Sequence, residues 1–168
     1  MQKVAGFLFL AVMTGAFTGC SSSASAPSAA QAAQPAAEFV LQLRPVLAGY
    51  SEWKRDFLRL LTVAASLRAE DAVTRIDEIA AKAAATERAL AGMAPPSDAD
   101  AGVARVQWLA AARVNQRVLA LYRESLATGR GVRVDQTALQ TMVEEATAAE
   151  ERADAALTAL KARYKIAP

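Results

Sequence analysis

Histidine, the commonest catalytic base, is absent from this 168-residue chain, so any chemistry must come from its carboxylates, lysines, serines and tyrosines. Ser51 and Lys54 stand as Ser-x-x-Lys, a spacing at which a lysine amine can take a serine proton. The companion Ser-Asp-Asn and Lys-Thr-Gly motifs are missing, and two matching letters do not make a nucleophile. Glu144, Glu145, Glu150 and Glu151 form two doublets that would suit a carboxylate metal site. On a helix, however, Glu144 and Glu151 turn away from the apolar stripe, which predicts a solvated face. Lack of histidine excludes histidine-dependent triads and His-ligated zinc or haem. The lone cysteine, Cys20, excludes an intramolecular disulfide. No glycine loop that could cradle a phosphate is present. The expectation is therefore a chain with no metal, no cofactor and no catalytic residues, and not an enzyme.

Three polar residues sit where a helical wheel places apolar ones. Lys54 lies among Leu47, Tyr50, Phe57 and Leu61, Glu87 beside Ala80, Ala83 and Leu90, and Gln107 with Val103, Val114 and Leu121. If the first two helices turn near Arg68, Lys54 is level with Lys82, and Glu87 with Gly49. The two charges are then about 7.5 Å apart along the axis. Joining them would spare each a desolvation cost, so the spacing predicts a Lys54–Glu87 ion pair, with the Tyr50 hydroxyl nearby. The same arithmetic sets Trp53 opposite Ala83, and Ala83 opposite Gln107 beside Trp108. Gln107, Trp53 and Trp108 thus mark the place where a small pocket would lie.

The elements that must position these residues are helical. Alanine supplies 42 of the 168 residues, and glycine (8) and proline (6) are scarce, which suits a few long helices with a small-residue core. One stripe runs from Phe39 through Leu43, Tyr50, Trp53, Phe57 and Leu60 to Leu67, with Pro45 inside it. A second takes Ala72, Ile76, Ile79, Ala83, Thr86, Leu90 and Met93, and stops at Pro95-Pro96. The third starts behind Ser97, read as its cap with Asp100 three residues on. It runs through Val103, Val106, Ala110, Val114, Val118 and Leu121 to Gly129 and Gly131. The fourth takes Leu139, Met142, Ala146, Ala149, Ala153, Ala156 and Leu160.

Between Ser66 and Asp71 there is neither glycine nor proline, so a three-helix bundle with one long first helix is the alternative. That helix would reach about 69 Å against about 46 to 50 Å for the others, leaving Tyr50, Trp53 and Phe57 without partners. The length argument favours an all-α, antiparallel up-down four-helix bundle. Net charge by helix alternates basic, acidic, basic, acidic, as that topology would use.

Ahead of residue 38 the composition changes. Met1-Gln2-Lys3 is a short positive start, Val4 to Ala16 is a mostly apolar run too short to span a bilayer, and Gly19-Cys20 follows. This ending resembles the lipobox of bacterial lipoproteins. The resemblance covers residues 1–20 and implies a signal peptide over 1–19, cleavage before Cys20, and acyl chains on Cys20. Phe17 departs from the Leu, Val or Ile usual three residues before the cysteine. Residues 20–37 then read as the lipidated cysteine and a flexible Ala/Ser/Pro tether, and 38–168 as the bundle domain.

The expected location follows from the lipobox: the bacterial cell envelope, on the periplasmic face of an outer membrane if the cell has two membranes, otherwise on the outer face of the plasma membrane. Formal net charge is +2, and no basic footprint for nucleic acid is present. The expected partners are membrane lipid through acylated Cys20 and an envelope protein. The expected role is a non-catalytic interaction or structural module. The alternative is a binding protein holding a small apolar or amphipathic ligand between helices.

Overall fold

Four helices account for nearly all of the computed structural model, which describes residues 29–127 and 136–167. They are α1 (Ala29–Val63), α2 (Ala69–Gly92), α3 (Ala99–Ala127) and α4 (Gln136–Tyr164), with a 3-10 turn at Ala64–Ser66. They form a four-helix bundle in which α1 packs on α2, α2 on α3 and α3 on α4. The leader over 1–19, Cys20, residues 21–28 and the Gly129 and Gly131 break lie outside the described residues.

The long first helix of the three-helix alternative is ruled out, because α1 stops at Val63 without glycine or proline. Hydroxyls account for the stop: Thr62 Oγ1 donates to the Arg59 carbonyl and Ser66 Oγ to the Val63 carbonyl, each at 2.7 Å. Such local bonds offer the backbone an alternative to the next helical turn. Leu67 and Arg68 are extended, and α2 starts behind them with Glu70 and Asp71 in its first turn, favourable to its dipole.

At the other end α1 begins earlier than composition suggests. Residues 29–37, expected as tether, are helical, and Ala36 is fully buried. Alanine is the best helix former, and the burial of Ala36, Phe39 and Val40 holds this stretch to the bundle. Pro35 and Pro45 lie inside α1. Pro45 is exposed, on the solvent side where a carbonyl freed from its helical bond meets water.

The core pairs large with small. From α1 come Phe39, Leu43, Tyr50, Trp53 and Leu60, and to the same core α3 and α4 supply Ala101, Ala104, Ala111, Ala149 and Ala153. Small side chains let the α3 and α4 backbones run close together, whereas bulky ones hold α1 off and make its contacts with α3 and α4 side-chain contacts. The stripe of α2 is buried as its periodicity predicts, from Ala72 to Leu90.

The first half of α3 is not. Val103 and Val106 are 53% and 58% exposed, and Ala101, Ala104 and Trp108 face inward instead. In a helix with alanine on every side, the valines do not fix the buried face. The indole of Trp108 and the rings and chains of Leu119 and Tyr122 hold more area and set the rotation. Asp98, rather than Ser97, caps α3, its Oδ1 accepting the Ala101 N–H at 2.8 Å.

Ion pairs join each neighbouring pair of helices. Arg113 meets Glu87 and Arg123 meets Asp77 between α3 and α2, and Arg117 meets Glu145 between α3 and α4. Between α1 and α4 Lys54 meets Glu150. These run in the sense of the net charges. Lys82 with Glu52 and Asp56, and Arg163 with Asp100, run against it.

Candidate functional site

Halfway along the bundle, α1, α3 and α4 each send a polar side chain to one point. Tyr50 belongs to the face of α1 that carries Leu43 and Trp53, seven residues before and three after it. Asn115 is buried on α3 among Ala111, Ala112, Val118 and Leu119. Glu150 stands on α4 between Ala146 and Ala153, with 18% of its side chain exposed.

The Tyr50 hydroxyl donates to Glu150 Oε1 at 2.6 Å, and the Asn115 amide donates to the Tyr50 oxygen at 2.7 Å and to Glu150 Oε1 at 2.8 Å. Asn115 also reaches the Ala111 carbonyl at 3.0 Å, so its two amide hydrogens are divided among three acceptors. Lys54 covers the solvent side, its ammonium donating to Glu150 Oε2.

Aromatic rings close the cluster off. Tyr50 meets Trp53 edge-on, centroids 4.8 Å apart, and Trp108 at 5.4 Å. The two indoles therefore share a layer around the Tyr50 ring, and Ala83 is buried in α2. Burial, then the Glu150 carboxylate, pushes the Tyr50 phenol far above its ordinary pKa. A phenol so placed stays a neutral donor. Among the described residues neither indole Nε1 finds an acceptor, an uncompensated desolvation in the core.

The predicted Lys54–Glu87 pair does not form. Lys54 lies one turn from Tyr50 and therefore on the α4 side of α1. Glu52 and Asp56 occupy the α2 side and take Lys82 at 3.0 and 2.8 Å. The turn arithmetic is right, since Lys82 straddles the level of Lys54, but levels along an axis say nothing about direction around it. Glu87 turns the other way and accepts from Arg113 of α3 at 3.1 Å. Gln107 is also displaced from the expected pocket. It lines an open groove of about 440 Å³ with Val103, Val106 and Pro96, away from the Tyr50 layer.

Sequence reasoning passes over Asn115 and reads Glu150 only as one of the glutamate doublets, although both carry a signal. Asn115 stands three and four residues from Ala111, Ala112, Val118 and Leu119, and Glu150 three and four from Ala146 and Ala153. The expectation of a solvated face for the glutamate doublets fails at Glu150. Glu144 and Glu151 do lie exposed there, and Glu145 is half-exposed against Arg117. Among the described residues no group of acidic side chains is arranged to hold a metal ion.

Ser51 is exposed and Lys54 is held by Glu150, so the Ser-x-x-Lys pair is not assembled as nucleophile and base. No helix among the described residues is long and apolar enough to cross a membrane. Neither a protein-family model, nor a curated protein, nor a solved structure matches this chain.

Proposed function

We propose that this chain is a lipid-anchored module of the bacterial cell envelope that works by presenting its helical surface to an envelope protein, without catalysis. One observation carries the non-catalytic reading. Glu150 takes the amine of Lys54 and the phenol of Tyr50, so the groups with the best claim to chemistry are spent on each other. The anchoring rests on Gly19-Cys20 behind a short apolar run.

Metabolic labelling with an alkynyl fatty acid tests the anchor, with Cys20→Ser as the comparison. Label on the parent and none on the variant is the expected result, and equal label on both ends the reading. Co-purification from crosslinked envelopes, with mass spectrometry of proteins and small molecules, tests the role. A reproducible protein partner supports it. A second reading, a small amphipathic ligand held against the helices, is favoured by the apolar groove at Gln107, and a co-purifying small molecule without a protein would select it.

A further inference from the structure

The groove at the start of α3, lined by Pro96, Gly102, Val103, Arg105, Val106 and Gln107, has three features that the packing of the bundle does not account for. The first is a charge. Arg105 is half-buried, whereas every other arginine among the described residues is exposed. Its guanidinium pairs with no acid among them: Nη2 donates to the Ala91 carbonyl at 2.8 Å, and the shielded Nε has no acceptor. The bond to Ala91 satisfies a carbonyl at the end of α2 and brings no counter-charge. The acids that start α3 are engaged elsewhere, Asp98 by the Tyr164 hydroxyl and Asp100 by Arg163. A half-buried cation with an orphaned donor thus carries a desolvation cost that no described residue offsets.

The second feature is a glycine. In a chain with 42 alanines, Gly102 stands inside α3, where glycine weakens a helix relative to alanine. A Cβ added there would meet nothing within 4 Å, so packing does not call for glycine. The missing side chain keeps the groove open instead. The third feature is apolar surface, since Val103 and Val106 are both more than half exposed along the same groove.

We propose that this groove binds a small amphipathic monocarboxylate, its carboxylate on Arg105 and its alkyl chain along Gly102, Val103 and Val106. The inference rests on the second reading above and names the class of ligand for it. Arg105 is the one charged residue in the lining, so a single negative charge is matched and a phosphate dianion is not. A planar carboxylate fits the guanidinium fork and supplies the acceptors that the chain withholds. The alkyl chain covers valine surface that otherwise faces water.

The test titrates the isotope-labelled full-length chain with hexanoate, hexanol and acetate. The Arg105 Nε–H resonance reports the guanidinium, and the backbone resonances of Gly102 and Val106 report the groove whether or not Arg105 takes part. Hexanoate should shift all three saturably. Hexanol lacks the charge-assisted hydrogen bond and acetate lacks the chain, so each should bind at least about tenfold more weakly. Arg105→Gln should weaken hexanoate by a similar factor. Gly102→Leu brings in a good helix former whose side chain enters open space, and it should block the groove with the helices intact by circular dichroism.

Hexanol binding as tightly as hexanoate, or hexanoate binding that Arg105→Gln leaves unchanged, overturns the carboxylate and leaves the second reading in place. Acetate binding as tightly as hexanoate reduces the groove to a bare anion site and also overturns the proposal. No shift at Gly102 and Val106 with any of the three, or binding that survives Gly102→Leu, removes the second reading as well.

Discussion

Tyr50 and Asn115 share a 2.7 Å hydrogen bond between two helices that are not consecutive in the chain, and both lean on one oxygen of Glu150 from a third. One heptad further on, Phe57 and Tyr122 repeat the same offset as an edge-to-face ring pair at 5.4 Å. Polar and aromatic contacts thus fix the slide of α1 along α3, which apolar surfaces alone leave loosely set.

Removal of Glu150 should therefore be costly. Glu150→Ala leaves the Tyr50 hydroxyl and the Asn115 amide short of an acceptor in a dry layer, a loss of about 2 kcal/mol or more in urea denaturation. In a double-mutant cycle, Lys54→Met with Glu150→Leu should show coupling of up to about 1 kcal/mol, since Lys54 is one-third exposed. Lys54→Met with Glu87→Leu should show none. Coupling in the second cycle and not the first would contradict the contacts described.

Tyr50 should make the fold sensitive to alkali. In the unfolded chain its phenol ionises near pH 10.0, whereas in the bundle burial and Glu150 raise that pKa far higher. A raised folded pKa gives stability that is intact below the unfolded value and lost as pH rises past it. The expected decline above pH 10 is about 1.4 kcal/mol per pH unit from this one group. Tyr50→Phe should flatten the slope by that amount, leaving a remainder from Tyr122, whose pKa burial also raises. Urea midpoints from pH 8 to 11 measure it, and identical slopes for parent and variant would refute the assignment.

Two backbone positions have room for improvement. A Cβ on Gly49 would meet Thr86 Oγ1 at 3.7 Å, an ordinary contact, so Gly49→Ala should stabilise by up to about 1 kcal/mol through helix propensity. Lys165 ends α4 at φ 53°, a left-handed cap that lets the Ile166 N–H reach the Lys161 carbonyl at 2.9 Å. Lys165→Gly should relieve that conformation by roughly 0.5 to 1 kcal/mol. Thermal melting decides both, and a lowered Tm in either variant counts against its argument.

Helix number and order, the α2 face and the level of Lys82 against Glu52 and Asp56 are all legible in the sequence, because spacing along a helix maps directly onto height in the bundle. What spacing does not carry is rotation in an alanine-rich helix. Alanine fits either side, so Val103 and Val106 suggest one face of α3 while Trp108 and Tyr122 bury another. The same ambiguity hides the site. Lys54 stands out in the sequence as a charge on an apolar face, but its partner depends on which flank of α1 it occupies. Asn115 and Glu150 pass for surface residues until their alanine neighbours are known to face inward.

The early start of α1 has a mechanical meaning. In a chain held by Cys20, load enters at Ala29 and runs along α1 for about 32 Å before it reaches Tyr50. The buried side chains of α1 before that point, Ala36, Phe39, Val40 and Leu43, are apolar and can separate turn by turn. At Tyr50 the bonds to Asn115 and Glu150 cross between helices and must yield together, in shear. The expected force trace for a chain pulled from its N-terminus is a soft opening followed by one rupture, and Tyr50→Phe should lower that rupture force without changing the soft phase. A trace in which the variant matches the parent would mean that the grip lies elsewhere along α1.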